Sequence, residues 1–357
     1  ISDQYQDRVN IHDPFTPTVT EQEVQLLNKS SCLSETNIAK AVKLLKNCNL
    51  RKTSPALNFA LGNLYFQQEK FEAAKRAYQN ALEKLPKFRA ALANLGRIYL
   101  LQDQTEQAIK IYQALVRDGQ ADENILLLLG HALLLSKHVV SAENAYRQAL
   151  LLKPGASDAM LGLTKCLLEQ ERYSEGNSLL SELLRHEPSR MELWSLRANT
   201  LVALDKIQNA IVTLESASRL GVASYSMLAT LGDLYLNQQQ PVEALKAYEL
   251  AFATEKPAIV RMLRSAEGFL MIDDNKRADQ MLTKIGEYQK MNPDSFKPAD
   301  CRKFLRLKAD LANIEGRFDD AEKSYKELLK KDPLDGDILI RLGDLHRQND
   351  ALEKAVI

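Results

Sequence analysis

The chain has 357 residues in which 47 Lys and Arg balance 47 Asp and Glu, so no net positive field gathers phosphates and nucleic acid is not an expected partner. With 45% hydrophobic residues, 26% charged residues, 14 Gly and 11 Pro, the composition is that of a folded protein and excludes disordered and collagenous classes. Length alone would suggest about two globular domains, a count that a repeat array would void.

In chain order, residues 1–20 hold two Pro, three Thr and no helical period, and read as an extended or disordered segment. Val24 to Leu27 and Ile38 to Leu45 read as a degenerate helix pair over 21–54 that caps the start of a stack. From residue 55 a small residue recurs every 34 positions: Gly62, Gly96, Gly130, Thr164, Ala198, Gly232 and Ala266. Twelve residues after each comes Ala74, Ala108, Ala142, Gly176, Ala210, Ala244 and Ala278, and four further on Tyr78, Tyr112, Tyr146, Leu180, Leu214, Tyr248 and Leu282.

Apolar residues around each small one are spaced as on a helix, as Leu61, Gly62 and Tyr65 illustrate, so each unit is predicted to be two helices. The small residue is expected to let the second helix approach closely at its Ala. Pro86, Pro154 and Pro188 mark helix ends, whereas Pro241 opens a helix where its missing N–H costs nothing. Seven such units fill 55–292. The interval from Ala266 to Ala309 is 43, and the extra nine residues, 293–301, are expected to form an inserted loop. Residues 302–357 then give one full unit and a truncated one, whose second helix is expected to start near Asp350. An array ending there exposes an uncapped face, which predicts a fragment of a longer protein.

The longest apolar run, Ile125 to Leu135, is interrupted by His131 and falls short of the ~20 residues that a membrane span needs. The chain begins at Ile1 rather than Met, and any targeting piece is expected to have been removed already. Cys32, Cys48, Cys166 and Cys301 show no metal-binding or redox spacing. Cys32 and Cys48 would be available for a bridge in an exported protein, but two reduced thiols are the simpler reading. No Gly-rich phosphate loop, nucleophile elbow or H-E-x-x-H motif is present, and His131 and His138 lack a third metal ligand. No enzyme activity, metal or cofactor is expected.

Leu61-Gly62-Asn63-Leu64-Tyr65 followed by Phe71, Ala74, Tyr78, Ala81 and Pro86 resembles the tetratricopeptide repeat pattern, and the resemblance extends over 55–357. It implies an all-α fold, a right-handed superhelical solenoid of antiparallel helix pairs in 34-residue repeats, whose first helices line a concave groove that holds proteins or peptides. Only Trp194 occupies the family's early Trp position.

On that pattern, groove positions in repeats one to four are apolar: Phe59, Phe66, Leu100, Leu101, Leu127, Leu134, Leu135, Leu161 and Leu168. They are expected to receive an apolar peptide or amphipathic helix, unless they merely fill the inner curve. Toward the C-terminus the same face carries Arg264, Lys303, Arg306, Arg341 and Arg347, interleaved with Asp310, Asp337 and Asp344. These basic residues form a second, weaker candidate surface for an acidic peptide or a chain terminus. The family's two-carboxylate chaperone clamp is broken: Asn63 and Asn94 match it, but Phe59, Asn124 and Leu128 stand at its basic positions. An asparagine ladder like that of some glycosyltransferase superhelices is missing too.

The expected role is therefore a non-catalytic scaffold for protein or peptide partners, with no indication of oligomeric state. Two alternatives stand beside it: a regulatory or substrate-presenting arm of a larger enzyme, such as a glycosyltransferase, and a cell-envelope scaffold for secretion or polysaccharide export. The last favours bacterial periplasm or cell envelope over cytoplasm as the location.

Overall fold

Several helices begin where the sequence puts Ser, Thr, Asp or Asn ahead of an apolar run. Thr20 closes a reciprocal capping box with Glu23, Asn37 Oδ1 accepts the Lys40 N–H at 3.0 Å, Ser54 Oγ accepts the Leu57 N–H at 3.2 Å, and Asp122 Oδ1 accepts the Ile125 N–H at 2.9 Å. They end two residues before Pro86, Pro154 and Pro188. The computed structural model describes residues 15–254, 258–292 and 296–348, and these hold nineteen α-helices, one short 3-10 helix and no strand. The fold is the all-α solenoid of paired helices that the repeat phase predicts.

The chain divides into two units, Ile1–Leu183 and Leu184–Ile357. In the first, α1 (Glu21–Thr36) and α2 (Ile38–Lys46) precede four repeat pairs. These are α3 (Pro55–Gln67) with α4 (Phe71–Lys84), α5 (Arg89–Leu101) with α6 (Thr105–Arg117), α7 (Glu123–Leu135) with α8 (Val139–Leu152), and α9 (Ser157–Glu169) with α10 (Tyr173–His186). The division falls within α10. In the second unit come α11 (Met191–Ala203) with α12 (Ile207–Arg219), α13 (Tyr225–Asn237) with α14 (Pro241–Thr254), α15 (Ile259–Met271) with α16 (Asn275–Met291), α17 (Pro298–Ile314) with α18 (Phe318–Lys331), and α19 (Gly336–Gln348). The helix pair α1–α2 packs Leu27, Ala41 and Leu45 against Ala56, Leu57 and Leu61 of α3.

In repeats one, two, three and six the glycine of the first helix makes room for the tyrosine of the second, rather than for the alanine expected to meet it. A Cβ on Gly62 would lie 2.5 Å from the Tyr78 ring, one on Gly96 2.7 Å from Tyr112, one on Gly130 2.8 Å from Tyr146 and one on Gly232 2.6 Å from Tyr248. Where the sequence has Leu in place of Tyr (Leu180, Leu214, Leu282), the partner grows to Thr164, Ala198 or Ala266. In the eighth repeat Ala309 stands at this position, buried in one core cluster with Tyr325.

Every described turn from a first to a second helix is the same. The Lys70 N–H donates to the Tyr65 carbonyl at 2.9 Å and the Glu69 N–H to that of Phe66 at 2.9 Å, a Schellman closure repeated down to Arg317 and Gly316. It forces a left-handed residue at Glu69, Asp103, Lys137, Glu171, Asp205, Gln239 and Asp273 (φ between 56° and 61°), and only the eighth turn uses glycine, Gly316 at φ 75°.

Two expectations change. The inserted loop over 293–301 is in part helix: Pro298–Cys301 form the first turn of α17, because Pro is favoured at a helix start and Asp300 accepts the Lys297 N–H there. Both α16 and α17 run to 17 residues, so most of the insertion lengthens helices; residues 293–295 lie outside the described residues. Of the N-terminal segment, residues 1–14 also lie outside them, and 15–20 are non-helical but docked. The Phe15 carbonyl accepts the Arg89 N–H at 3.2 Å, the Lys87 ammonium lies 5.7 Å from the Phe15 ring, and Val19 packs on the α1–α3 core. The second helix expected from Asp350 falls outside the described residues.

Candidate functional site

In the first unit the face in question is carried by first helices lying side by side, since α5 touches α7 and α7 touches α9. The expected apolar strip splits there into core and surface. Phe59 is half-buried with its ring 5.7 Å from that of Tyr78 and 4.9 Å from that of Phe88, and Phe66 packs at 5.6 Å on Phe71. Leu100, Leu127 and Leu134 are half-buried against the core that α6 to α9 share. Leu161 is 5% exposed, and Leu168 Cδ2 fills the space over Gly176, 2.7 Å from where a Cβ would lie. Seven of the nine residues therefore close the inner curve. Leu101 and Leu135, at the last position of α5 and α7, are 55% and 54% exposed.

The ninth residue of each 34-residue repeat has a role that sequence reasoning did not assign to it. In repeats one, six and eight it accepts the buried tyrosine's hydroxyl: Tyr78 Oη donates to Asn63 Oδ1 at 2.7 Å, Tyr248 Oη to Asp233 Oδ1 at 2.6 Å and Tyr325 Oη to Asp310 Oδ1 at 2.6 Å. Burial pushes these tyrosines well above their ordinary range, Tyr248 to about 12, so each is a neutral donor. Asn94 joins the first of these pairs, donating to Asn63 at 2.9 Å. In repeats two to four the position is basic instead: Arg97, His131 and Lys165. Tyr112 turns to the Ala93 carbonyl at 3.3 Å. The His131 imidazole is held below its usual range by burial and then by the charge of Lys165, which places that charge within electrostatic reach on the neighbouring helix.

In the second unit the five expected basic residues are all engaged by carboxylates of the chain itself. Arg264 lies 3.3 Å from Asp233, Lys303 2.6 Å and Arg306 2.7 Å from Glu267, Arg341 3.1 Å from Asp310 and 3.2 Å from Asp337, and Arg347 2.5 Å from Asp344. Arg261 also pairs with Asp233. Burial would raise the Glu267 carboxyl, but hydrogen bonds and charges from Lys303 and Arg306 outweigh it and hold the group below the ordinary carboxylate range. These pairs join α15 to α13 and α17 to α15, and act as a ladder between successive repeats.

Cys166 is buried, its thiol pushed up to about 11 by burial and then by Glu143 and Glu169, and Cys32 and Cys48 are free thiols. Among the described residues no three His, Cys, Asp or Glu side chains come together as metal ligands, and no helix is long and apolar enough to cross a membrane.

Tetratricopeptide repeat family models match residues 59–123 and 307–357 and, separately, 133–200. Mouse tetratricopeptide repeat protein 21A is 24% identical over 309 residues, covering 84% of this chain and 22% of that protein. Mouse protein 21B is 25% identical over 223 residues, 59% of this chain and 16% of its own length, so the chain spans less than a quarter of either. Among solved structures, the C-terminal part of a TPR repeat-containing protein from Cytophaga hutchinsonii superposes with a TM-score of 0.57 at 17% identity, covering 67% of this chain and 98% of that one, a likeness of fold.

Proposed function

Because the chain belongs to the tetratricopeptide repeat family, whose members mediate protein–protein interactions, we propose that it is a non-catalytic scaffold that captures a protein or peptide segment on the α5 and α7 face of the first unit. The observation that carries this reading is the exposure of Leu101 and Leu135 at one register of two adjacent first helices, while the leucines beside them are packed. Covering two exposed leucines contributes roughly 25 cal/mol for each Å² removed from water, and a pre-stacked array has little conformational entropy to lose on binding.

Panning a random displayed-peptide library against the full chain tests this. Leu101→Asp with Leu135→Asp is expected to abolish selection while circular dichroism and melting stay unchanged, because both side chains are surface. Leu134→Asp, one residue away but packed on the core, is expected to lower stability by about 2 kcal/mol or more. Peptides selected equally well by the double variant would refute the reading.

A further inference from the structure

Contacts in a solenoid normally reach only the neighbouring repeat. One contact of the first unit reaches farther. Residues 15–20 join the start of α1 to the start of α5, past the cap and the whole first repeat. Their burial alternates, with Phe15, Pro17 and Val19 half-buried and Thr16, Thr18 and Thr20 exposed, as in a strand laid flat on a surface. We propose that residues 15–20 are a latch: a strap that fastens the start of α5 to the N-terminal cap, so that α1 to α4 and the first turn of α5 open together and not one after another. The latch goes beyond the binding reading above and does not depend on it.

Three observations carry it. At one end the strap is built into the cap, since Thr20 closes the capping box of α1 and Val19 packs on the core that α1, α2 and α3 share. At the other end it completes α5. That helix starts behind Phe88, which offers no side-chain cap, and the Arg89 N–H, without a partner inside the helix, donates to the Phe15 carbonyl at 3.2 Å. The Phe15 ring lies 5.7 Å from the Lys87 ammonium. Finally, the seat of Phe15 is held from its far side: Lys87 pairs with Asp118 at 3.5 Å and Arg89 with Asp122 at 3.0 Å, both at the turn that follows α6.

Pro17 suits a strap and not a sheet strand, because it has no N–H to give a ladder. Its fixed φ also reduces the freedom that the strap regains on release, which favours the fastened state. Nearest-neighbour contacts alone would let α1 and α2 open without disturbing α5. With the strap in place, any opening that moves the cap away from α5 must first draw Phe15 off its seat or Val19 out of its core.

Native-state hydrogen exchange of the full chain tests this with Phe15→Ser, Pro17→Gly and, at an exposed position of the strap, Thr18→Ala. Phe15→Ser is expected to lower the protection of amides in α1 to α4 and in the first turn of α5 by one common factor of about tenfold. Pro17→Gly is expected to act on the same amides in the same direction by about threefold, and Thr18→Ala on none of them. All three substitutions lie outside the helices, and circular dichroism is expected to be unchanged. A loss confined to Arg89 and its neighbours, a loss on one side of the strap only, an equal loss in Thr18→Ala, or no loss at all would overturn the proposal, because a passive tail protects only what it covers.

Discussion

Gly96→Ala tests the packing rule that organises the repeats. The new Cβ would lie 2.7 Å from Tyr112 Cζ and 2.9 Å from both Cε1 and Oη. Tyr112 is fully buried and cannot swing aside, so α5 and α6 must separate or the ring must leave its rotamer. Such overpacking costs about 1–3 kcal/mol, and the gain in helix propensity from Gly to Ala returns about 1 kcal/mol. A net loss of about 1–2 kcal/mol is expected. Tyr112→Leu alone leaves space over Gly96 and costs about 2–3 kcal/mol. The double variant recreates the Ala198–Leu214 and Ala266–Leu282 arrangement that the chain already uses, so the two losses are expected not to add, with a favourable coupling of about 2 kcal/mol. Native-state hydrogen exchange of the α5 and α6 amides reads this locally, without requiring all 357 residues to unfold as one. A coupling of about 2 kcal/mol appears as a roughly thirtyfold difference in protection from the additive expectation. Additive losses, or a stabilising Gly96→Ala, would refute the claim that glycine is there to admit the ring.

Gly316→Ala places a Cβ at φ 75° and is expected to cost about 1–2 kcal/mol, with a lower melting temperature of the second unit as the measurement. The carboxyl of Glu267 is held below its ordinary value in the folded chain, so its contribution is present above the unfolded carboxylate pKa near 4.5 and fades as pH falls through the lower folded value. Urea midpoints of the second unit are expected to fall over that acidic range, and Glu267→Gln to lower stability at neutral pH by about 1–2 kcal/mol and flatten the acid dependence; an unchanged pH profile in the variant would contradict the assignment.

The period of 34 makes the fold legible because each position of the repeat has a fixed job, and Gly62 with Tyr78 or Leu61 with Tyr65 shows that job in any one unit. The groove strip was only partly legible. A first helix packs on its own partner and on the neighbouring repeats, so its apolar arc is wide, and Leu134 and Leu135 look equivalent in a sequence although one is core and the other surface. The basic strip was visible as alternating charge, and Arg347 with Asp344 is a local pair, but the pairings between repeats join residues 31 to 39 apart, as Arg341 with Asp310 and Arg306 with Glu267 do. No local pattern announces such distances. The left-handed turns carried no glycine signal in seven of eight repeats, since Glu, Asp, Lys and Gln fill them and the Schellman bonds impose the geometry. In the stretch from Asn292 to Asp300, turn-forming residues suggested a loop, while Pro298 and Asp300 are equally good openers of α17.

The ladder of Asp233, Glu267 and Asp310 sets how neighbouring repeats communicate. In a solenoid, the free energy at each junction determines how far a locally melted repeat spreads its disorder to the next. In both units ion pairs cross those junctions beside the aliphatic packing, Arg172 with Glu143 and Lys137 with Glu169 in the first and the arginines of Asp233, Glu267 and Asp310 in the second, and they weaken as the Debye length shortens. Raising ionic strength should therefore loosen cooperativity between repeats in both units, so that the spread of local melting becomes an adjustable property of the buffer.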